Sequence, residues 1–120
     1  MRKRILILED DAINQKLIEL YLIETYEFNM VSSVENAIEA ISKSNYDLVI
    51  TDLNLGSDKD GMSFLKYLKS DTKFKLIPIV AYSGYIPPNI NNEFHFDESI
   101  SKPITKADFL EKIATVLEKH

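Results

Sequence analysis

Ile5-Leu6-Ile7-Leu8-Glu9-Asp10-Asp11 is a run of four branched apolar residues that stops at three consecutive carboxylates. Apolar residues that do not alternate with polar ones suit a strand covered on both faces, and such strands belong to parallel sheets with helices above and below. The same kind of run recurs at Leu48–Ile50 and at Ile77–Ala81, with shorter candidates at Phe28–Val31 and Glu98–Ser101. Between the runs the apolar spacing changes to that of helices: Ile13, Leu17, Leu20 and Tyr21, then Val34, Ala37, Ile38 and Ile41, then Met62, Leu65 and Leu68, and finally Phe109, Ile113, Val116 and Leu117. Ser32 and Glu35 are spaced as a capping box for the second helix, and Thr105 caps the last one with Asp108 in its first turn. Strand and helix therefore alternate through five repeats, which predicts an α/β fold with a doubly wound, five-stranded parallel sheet. Right-handed crossovers on both faces of such a sheet point to the flavodoxin-like order 2-1-3-4-5, with ligands at the carboxyl ends of the first and third strands. The fourth helix is expected to be short or irregular, because Pro87, Pro88, Asn89, Asn91 and Asn92 interrupt the stretch from Gly84 to Phe96.

Length and composition narrow the function. At 120 residues and 45% hydrophobic content, residues 1–120 read as a single domain with one proper core. A formal charge of −5 argues against a surface that neutralises nucleic-acid phosphates or anionic lipid headgroups. With no cysteine, disulfides, thiolate metal sites and thiol nucleophiles are excluded, and a reducing compartment fits. Met1-Arg2-Lys3-Arg4 has the charge of a signal-peptide front, but the apolar run behind it ends after four residues at Glu9. No apolar stretch approaches the roughly 20 residues that span a bilayer, so the expected location is the cytoplasm.

On the predicted sheet, Glu9, Asp10 and Asp11 leave the first strand and Asp52 leaves the third, so at least three carboxylates converge across the switch point. Converging anions raise one another's proton affinity unless a cation joins them. Oxygen ligands without His or Cys suit Mg²⁺, which commonly uses one or two carboxylates with a substrate phosphate. Asp52 is then both ligand and nucleophile: a carboxylate attacks phosphorus to give an acyl phosphate, while the metal screens nucleophile from donor. Ser83 after the fourth strand and Lys102 after the fifth complete the set, a hydroxyl and an ammonium that each donate to a phosphoryl oxygen.

The stretches Ile5-Leu6-Ile7-Leu8-Glu9-Asp10-Asp11, Asp47-Leu48-Val49-Ile50-Thr51-Asp52-Leu53-Asn54-Leu55, Ala81-Tyr82-Ser83-Gly84 and Ser101-Lys102-Pro103, in this order and on predicted strand ends, resemble the receiver domain of response regulators in two-component signalling. The resemblance covers the whole chain. It implies that Asp52 is phosphorylated by a histidine kinase or a histidine phosphotransfer protein. It further implies Mg²⁺ bound by the carboxylates of Asp10 and Asp52, by the backbone carbonyl of Asn54 and by Glu9 through water, with Ser83 and Lys102 on the phosphoryl group. A domain of this kind accepts and slowly hydrolyses its own phosphoryl group and is not a conventional turnover enzyme. The sequence departs from the family pattern in three places. The loop from Asn54 to Gly61 lacks the common proline; Ser99 stands where receivers usually place an aromatic residue that swings inward on activation; Pro87 and Pro88 reshape the fourth-helix region. Because the chain ends soon after the last helix pattern, the output is expected to be a separate protein, and Asn14-Gln15 also resembles receivers attached to hybrid kinases.

Each of these residues also has an ordinary reading. Asp52 alone is a turn former or helix cap, Lys102 a surface lysine and Ser83 a turn serine; the facing acidic run and the shared sheet edge favour the functional role. Asp11 reads as a helix start, where acids favour the dipole. His95 and His120 have no partners at metal-ligand spacing, and Phe94 and Phe96 read as packing residues. Among other functions, an aspartyl-phosphate phosphatase is disfavoured because Asn54 replaces its second acid. A flavin or nucleotide binder is disfavoured because Gly56, Gly61 and Gly84 make no GxGxxG or Walker loop. The remaining alternative is a phosphorylation-independent pseudo-receiver that serves as an interaction module.

Overall fold

The computed structural model describes residues 2–53, 61–84 and 96–119, the side chains of 61 and 62 excepted. The strands are β1 (Arg4–Leu8), β2 (Glu27–Val31), β3 (Leu48–Thr51), β4 (Ile79–Ser83) and β5 (Glu98–Ser101). The helices are α1 (Ala12–Leu22), α2 (Val34–Lys43), α3 (Gly61–Ser70) and α4 (Lys106–Glu118). All strand pairs are parallel and the order is β2-β1-β3-β4-β5, as the alternating pattern predicts. The irregular helix expected between Gly84 and Phe96, with Pro87, Pro88, Phe94 and His95, lies outside the described residues, as do Asn54 to Asp60 and His120.

Strand alternation divides the core into two layers. Leu6, Leu8, Val49, Ile79 and Ala81 meet Val34, Ala37 and Ile41 of α2 and Phe64, Leu65 and Leu68 of α3. Ile5, Ile7, Leu48, Ile50, Val80, Tyr82 and Ile100 meet Ile18 and Leu22 of α1 and Phe109, Ile113 and Val116 of α4. Each fully buried Leu, Ile or Phe contributes about 1.5–3 kcal/mol relative to exposure, so these two layers supply the main drive to fold. Phe96 packs against the first layer, in line with its expected packing role.

Three local expectations require correction. Ile13 and Leu20 of the expected α1 stripe are 79% and 53% exposed, whereas Ile18 and Leu22 are fully buried. The inward face carries Gln15 at its N-terminal end, where it donates to the Glu9 carbonyl at 2.6 Å, so a polar residue breaks the apolar period on the side that packs. The N-cap of α2 is Ser33 rather than Ser32: its backbone is extended and its Oγ accepts from the Asn36 N–H at 3.2 Å, with buried Val34 opening the helix. β4 begins at Ile79, because Pro78 has no N–H for the ladder and Ile77 bonds back to the Phe74 carbonyl. Thr105 caps α4 as expected, accepting from the Asp108 N–H.

Candidate functional site

The register sets the site. Leu8 pairs with Thr51 at the ends of β1 and β3, so Glu9 and Asp52 leave the sheet side by side. Their backbones stay tied to it: the Asp52 N–H donates to the Leu8 carbonyl at 2.9 Å and the Glu9 N–H to the Val31 carbonyl at 3.0 Å. Ser83 pairs with Ser101, and the Lys102 N–H donates to the Ser83 carbonyl at 3.0 Å, which places hydroxyl and ammonium on the same edge.

Both carboxylates leaving these central strands are buried, Glu9 at 1% exposure and Asp52 at 5%, whereas Asp10 is exposed. Lys102 bridges the buried pair: its Nζ lies 2.8 Å from Asp52 Oδ2 and 2.9 Å from Glu9 Oε2. The other Glu9 oxygen accepts from the Asp11 N–H at 3.0 Å. Asp11 itself turns away to cap α1, accepting from the Asn14 N–H at 2.9 Å, which matches its reading as a helix start.

Burial pushes the Glu9 carboxyl above its ordinary range; the Lys102 and Asp11 hydrogen bonds oppose that rise and the Asp52 charge adds to it. For Lys102, burial alone favours the neutral amine, but the bonds to Asp52 and Glu9 outweigh it and hold the ammonium above its ordinary value. One ammonium therefore serves two buried carboxylates, and a third carboxylate at their mouth adds further negative charge.

That excess charge is what a hard cation relieves. Glu9, Asp10 and Asp52 each offer an oxygen within 4.8 Å of the others. Opposite ligands of an octahedral Mg²⁺ are about 4.2 Å apart at its usual 2.0–2.1 Å bond length, so this all-oxygen set fits the ion with small side-chain adjustments or one bridging water. Asn54, the fourth expected ligand, lies outside the described residues.

Residues 5–114 match the response regulator receiver domain family, and the chain belongs to it. It is thus a receiver domain of two-component signalling. The polar-differentiation response regulator DivK of Brucella ovis is 28% identical over 121 positions, with 98% of each chain covered. Among solved structures, a sensor protein from a Polaromonas species superposes with a TM-score of 0.87 at 28% identity, covering 99% of this chain and 98% of that one. The receiver domain of a sensor histidine kinase from Pseudomonas aeruginosa, described with a magnesium ion coordinated in its active site cleft, superposes with a TM-score of 0.87 over 98% and 99% of the two chains. At 20% identity, that structure shows the shared fold alone.

The structure thus brings together Glu9, Asp10, Asp52 and Lys102, and holds Ser83 beside them through the backbone. Sequence reasoning missed the Gln15 bond to the Glu9 carbonyl, for which the signal is a polar residue on the packed face of α1, one turn after the acidic run. It also missed Tyr82, whose ring lies under Lys102 with its centroid 4.9 Å from Nζ.

Proposed function

We propose that this receiver domain takes a phosphoryl group onto Asp52 from the phosphohistidine of a histidine kinase or histidine phosphotransfer protein. The observation that carries the reading is the Lys102 ammonium held between Asp52 and Glu9, the one cation positioned by the described residues to follow a new anion at Asp52. An Asp52 oxygen bonds to phosphorus as the donor's P–N bond breaks, and the departing imidazole nitrogen keeps the bonding electrons. Lys102 pairs with the incoming phosphoryl oxygens, and Ser83, at the end of β4, donates to another of them. Asp10 and Asp52, with Glu9 through water, would hold Mg²⁺. The bound ion screens nucleophile from donor and stabilises the charge that develops on the transferring group.

Phosphorylation adds roughly two negative charges, as in other phosphoryl modifications, and draws Lys102 and Ser83 toward Asp52. The rearranged site then changes which output partner the domain binds. In this reading the protein acts in the cytoplasm as a switch rather than as a turnover enzyme, without direct contact with nucleic acid or membrane. Among the described residues no helix is long and apolar enough to cross a membrane.

The test is the intact mass after incubation with acetyl phosphate, with and without Mg²⁺, for the natural chain and Asp52→Ala. The expected result is a magnesium-dependent, alkali-labile adduct on the natural chain alone. A folded, magnesium-binding protein that takes no phosphoryl group from either acetyl phosphate or a phosphohistidine donor favours the pseudo-receiver reading instead.

A further inference from the structure

Alternation along β4 points Val80 and Tyr82 toward α1 and α4, while Ile79 and Ala81 face the other layer. Tyr82 is 1% exposed, and its Oη has no hydrogen-bond partner among the described residues. An unpaired hydroxyl in a buried position is a cost rather than a gain. The ring, by contrast, has defined partners. That ring is fixed from below: it meets Phe109 edge-on, with centroids 5.9 Å apart and planes at 78°, and Phe109 meets Tyr21 at 5.3 Å. Tyr21 in turn donates its hydroxyl to the Ile104 carbonyl at 2.8 Å, fastening the segment just beyond Lys102.

Lys102 Nζ lies 4.9 Å from the Tyr82 ring centroid, while the same ammonium is bonded to Asp52 and Glu9. An ammonium has three donor directions, and two are taken by carboxylates. The electron-rich ring face supports the cation within the roughly 6 Å over which that attraction operates.

We infer that Tyr82 is a positioning residue for Lys102: the aromatic stack of Tyr21, Phe109 and Tyr82 seats the ammonium so that it reaches Asp52 without swinging into solvent. The inference rests on Asp52 as the phosphoryl acceptor for its consequence, though not for the seating itself. A flexible four-carbon stem left without the ring samples more positions, and fewer of them place the charge where the phosphoryl oxygens arrive. The ring is what matters, so phenylalanine should serve in its place and leucine should not.

The experiment has two arms. In the unphosphorylated, metal-free protein, NMR of the Lys102 side chain should show its terminal methylene protons displaced upfield by the ring current. The displacement should persist in Tyr82→Phe, shrink in Phe109→Leu and vanish in Tyr82→Leu. In the second arm, the rate of Asp52 phosphorylation by acetyl phosphate at saturating Mg²⁺ should fall about fivefold in Tyr82→Leu, within the range that loss of a cation–π contact allows, and recover most of that loss in Tyr82→Phe. Ordinary Lys102 shifts in the natural chain, or a Tyr82→Leu rate equal to that of the natural chain, would overturn the inference. If Tyr82→Leu does not fold, Tyr82→Phe and Phe109→Leu still decide the seating by their shifts. If the natural chain takes no phosphoryl group from either acetyl phosphate or a phosphohistidine donor while the shifts behave as stated, Asp52 as acceptor fails and the seating of Lys102 stands.

Discussion

Lys102 Nζ sits 2.8 Å from Asp52 Oδ2, joining residues 50 positions apart in the chain, and the same ammonium reaches Glu9 Oε2 at 2.9 Å. Removing that cation leaves two buried carboxylates facing one another. Lys102→Met should therefore destabilise the metal-free protein by about 2 kcal/mol, below the 3–5 kcal/mol typical of a broken buried pair because the site opens to water at Asp10. Urea unfolding at pH 7 in EDTA checks this, and an unchanged midpoint would show that the bridge contributes no net stability.

The charge imbalance also predicts a response to metal. Mg²⁺ binding to the folded state alone should stabilise it by about 2.7 kcal/mol at a hundred times its dissociation constant. Thermal unfolding in MgCl₂, compared with NaCl of equal ionic strength, should show the rise in the natural chain, and chelation should reverse it. Asp10→Asn removes the exposed ligand of the Glu9, Asp10 and Asp52 group and should shift the response to higher metal concentration. The same midpoint in Asp10→Asn would remove Asp10 from the ligand set.

Glu9 carries a signed pH dependence. Burial raises its carboxyl above the ordinary 4.5, so in the window above that value the folded chain still holds a proton that the unfolded chain has released. Its contribution is therefore fully present below pH 4.5 and is lost as pH climbs through the raised native value. In EDTA, the urea midpoint of the natural chain should carry this falling component across the window, and Glu9→Gln, which has no proton to lose, should lack it. Equal slopes for the two proteins would assign the pH dependence to other groups.

The two faces of α1 allow a direct check of packing. Ile18 is fully buried and Leu20 is 53% exposed, the reverse of what their apolar spacing implies for Leu20. Ile18→Ala should cost about 3 kcal/mol, whereas Leu20→Lys should stay within roughly 0.5 kcal/mol of the natural chain. Comparable losses in both would mean that Leu20 is covered in solution.

This pair also shows where sequence reading succeeds and where it stops. Ile5–Leu8 and Leu48–Ile50 were legible as strands because burial on both faces demands an unbroken apolar run, and the strand order followed from the alternation with helices. Glu9, Asp10, Asp52 and Lys102 were legible because a parallel sheet delivers strand ends to one edge. The α1 face was not, since Gln15 turns inward to the Glu9 carbonyl and leaves apolar Ile13 and Leu20 outside. The Ser33 cap was hidden by two adjacent serines, either of which has the right chemistry. The Tyr82–Lys102 contact joins a residue of β4 to the residue just after β5, and no spacing within one element encodes it.

The most direct test of Asp52 as the acceptor is to phosphorylate the chain in Mg²⁺, reduce it with borohydride and read the peptides by mass spectrometry. Reduction converts an aspartyl phosphate to homoserine and so marks the acceptor. Homoserine is expected at residue 52 in the natural chain, dependent on Mg²⁺. Reduction at Glu9, Asp10 or another carboxylate instead, or no marked residue in a chain that has gained phosphoryl mass, would contradict it.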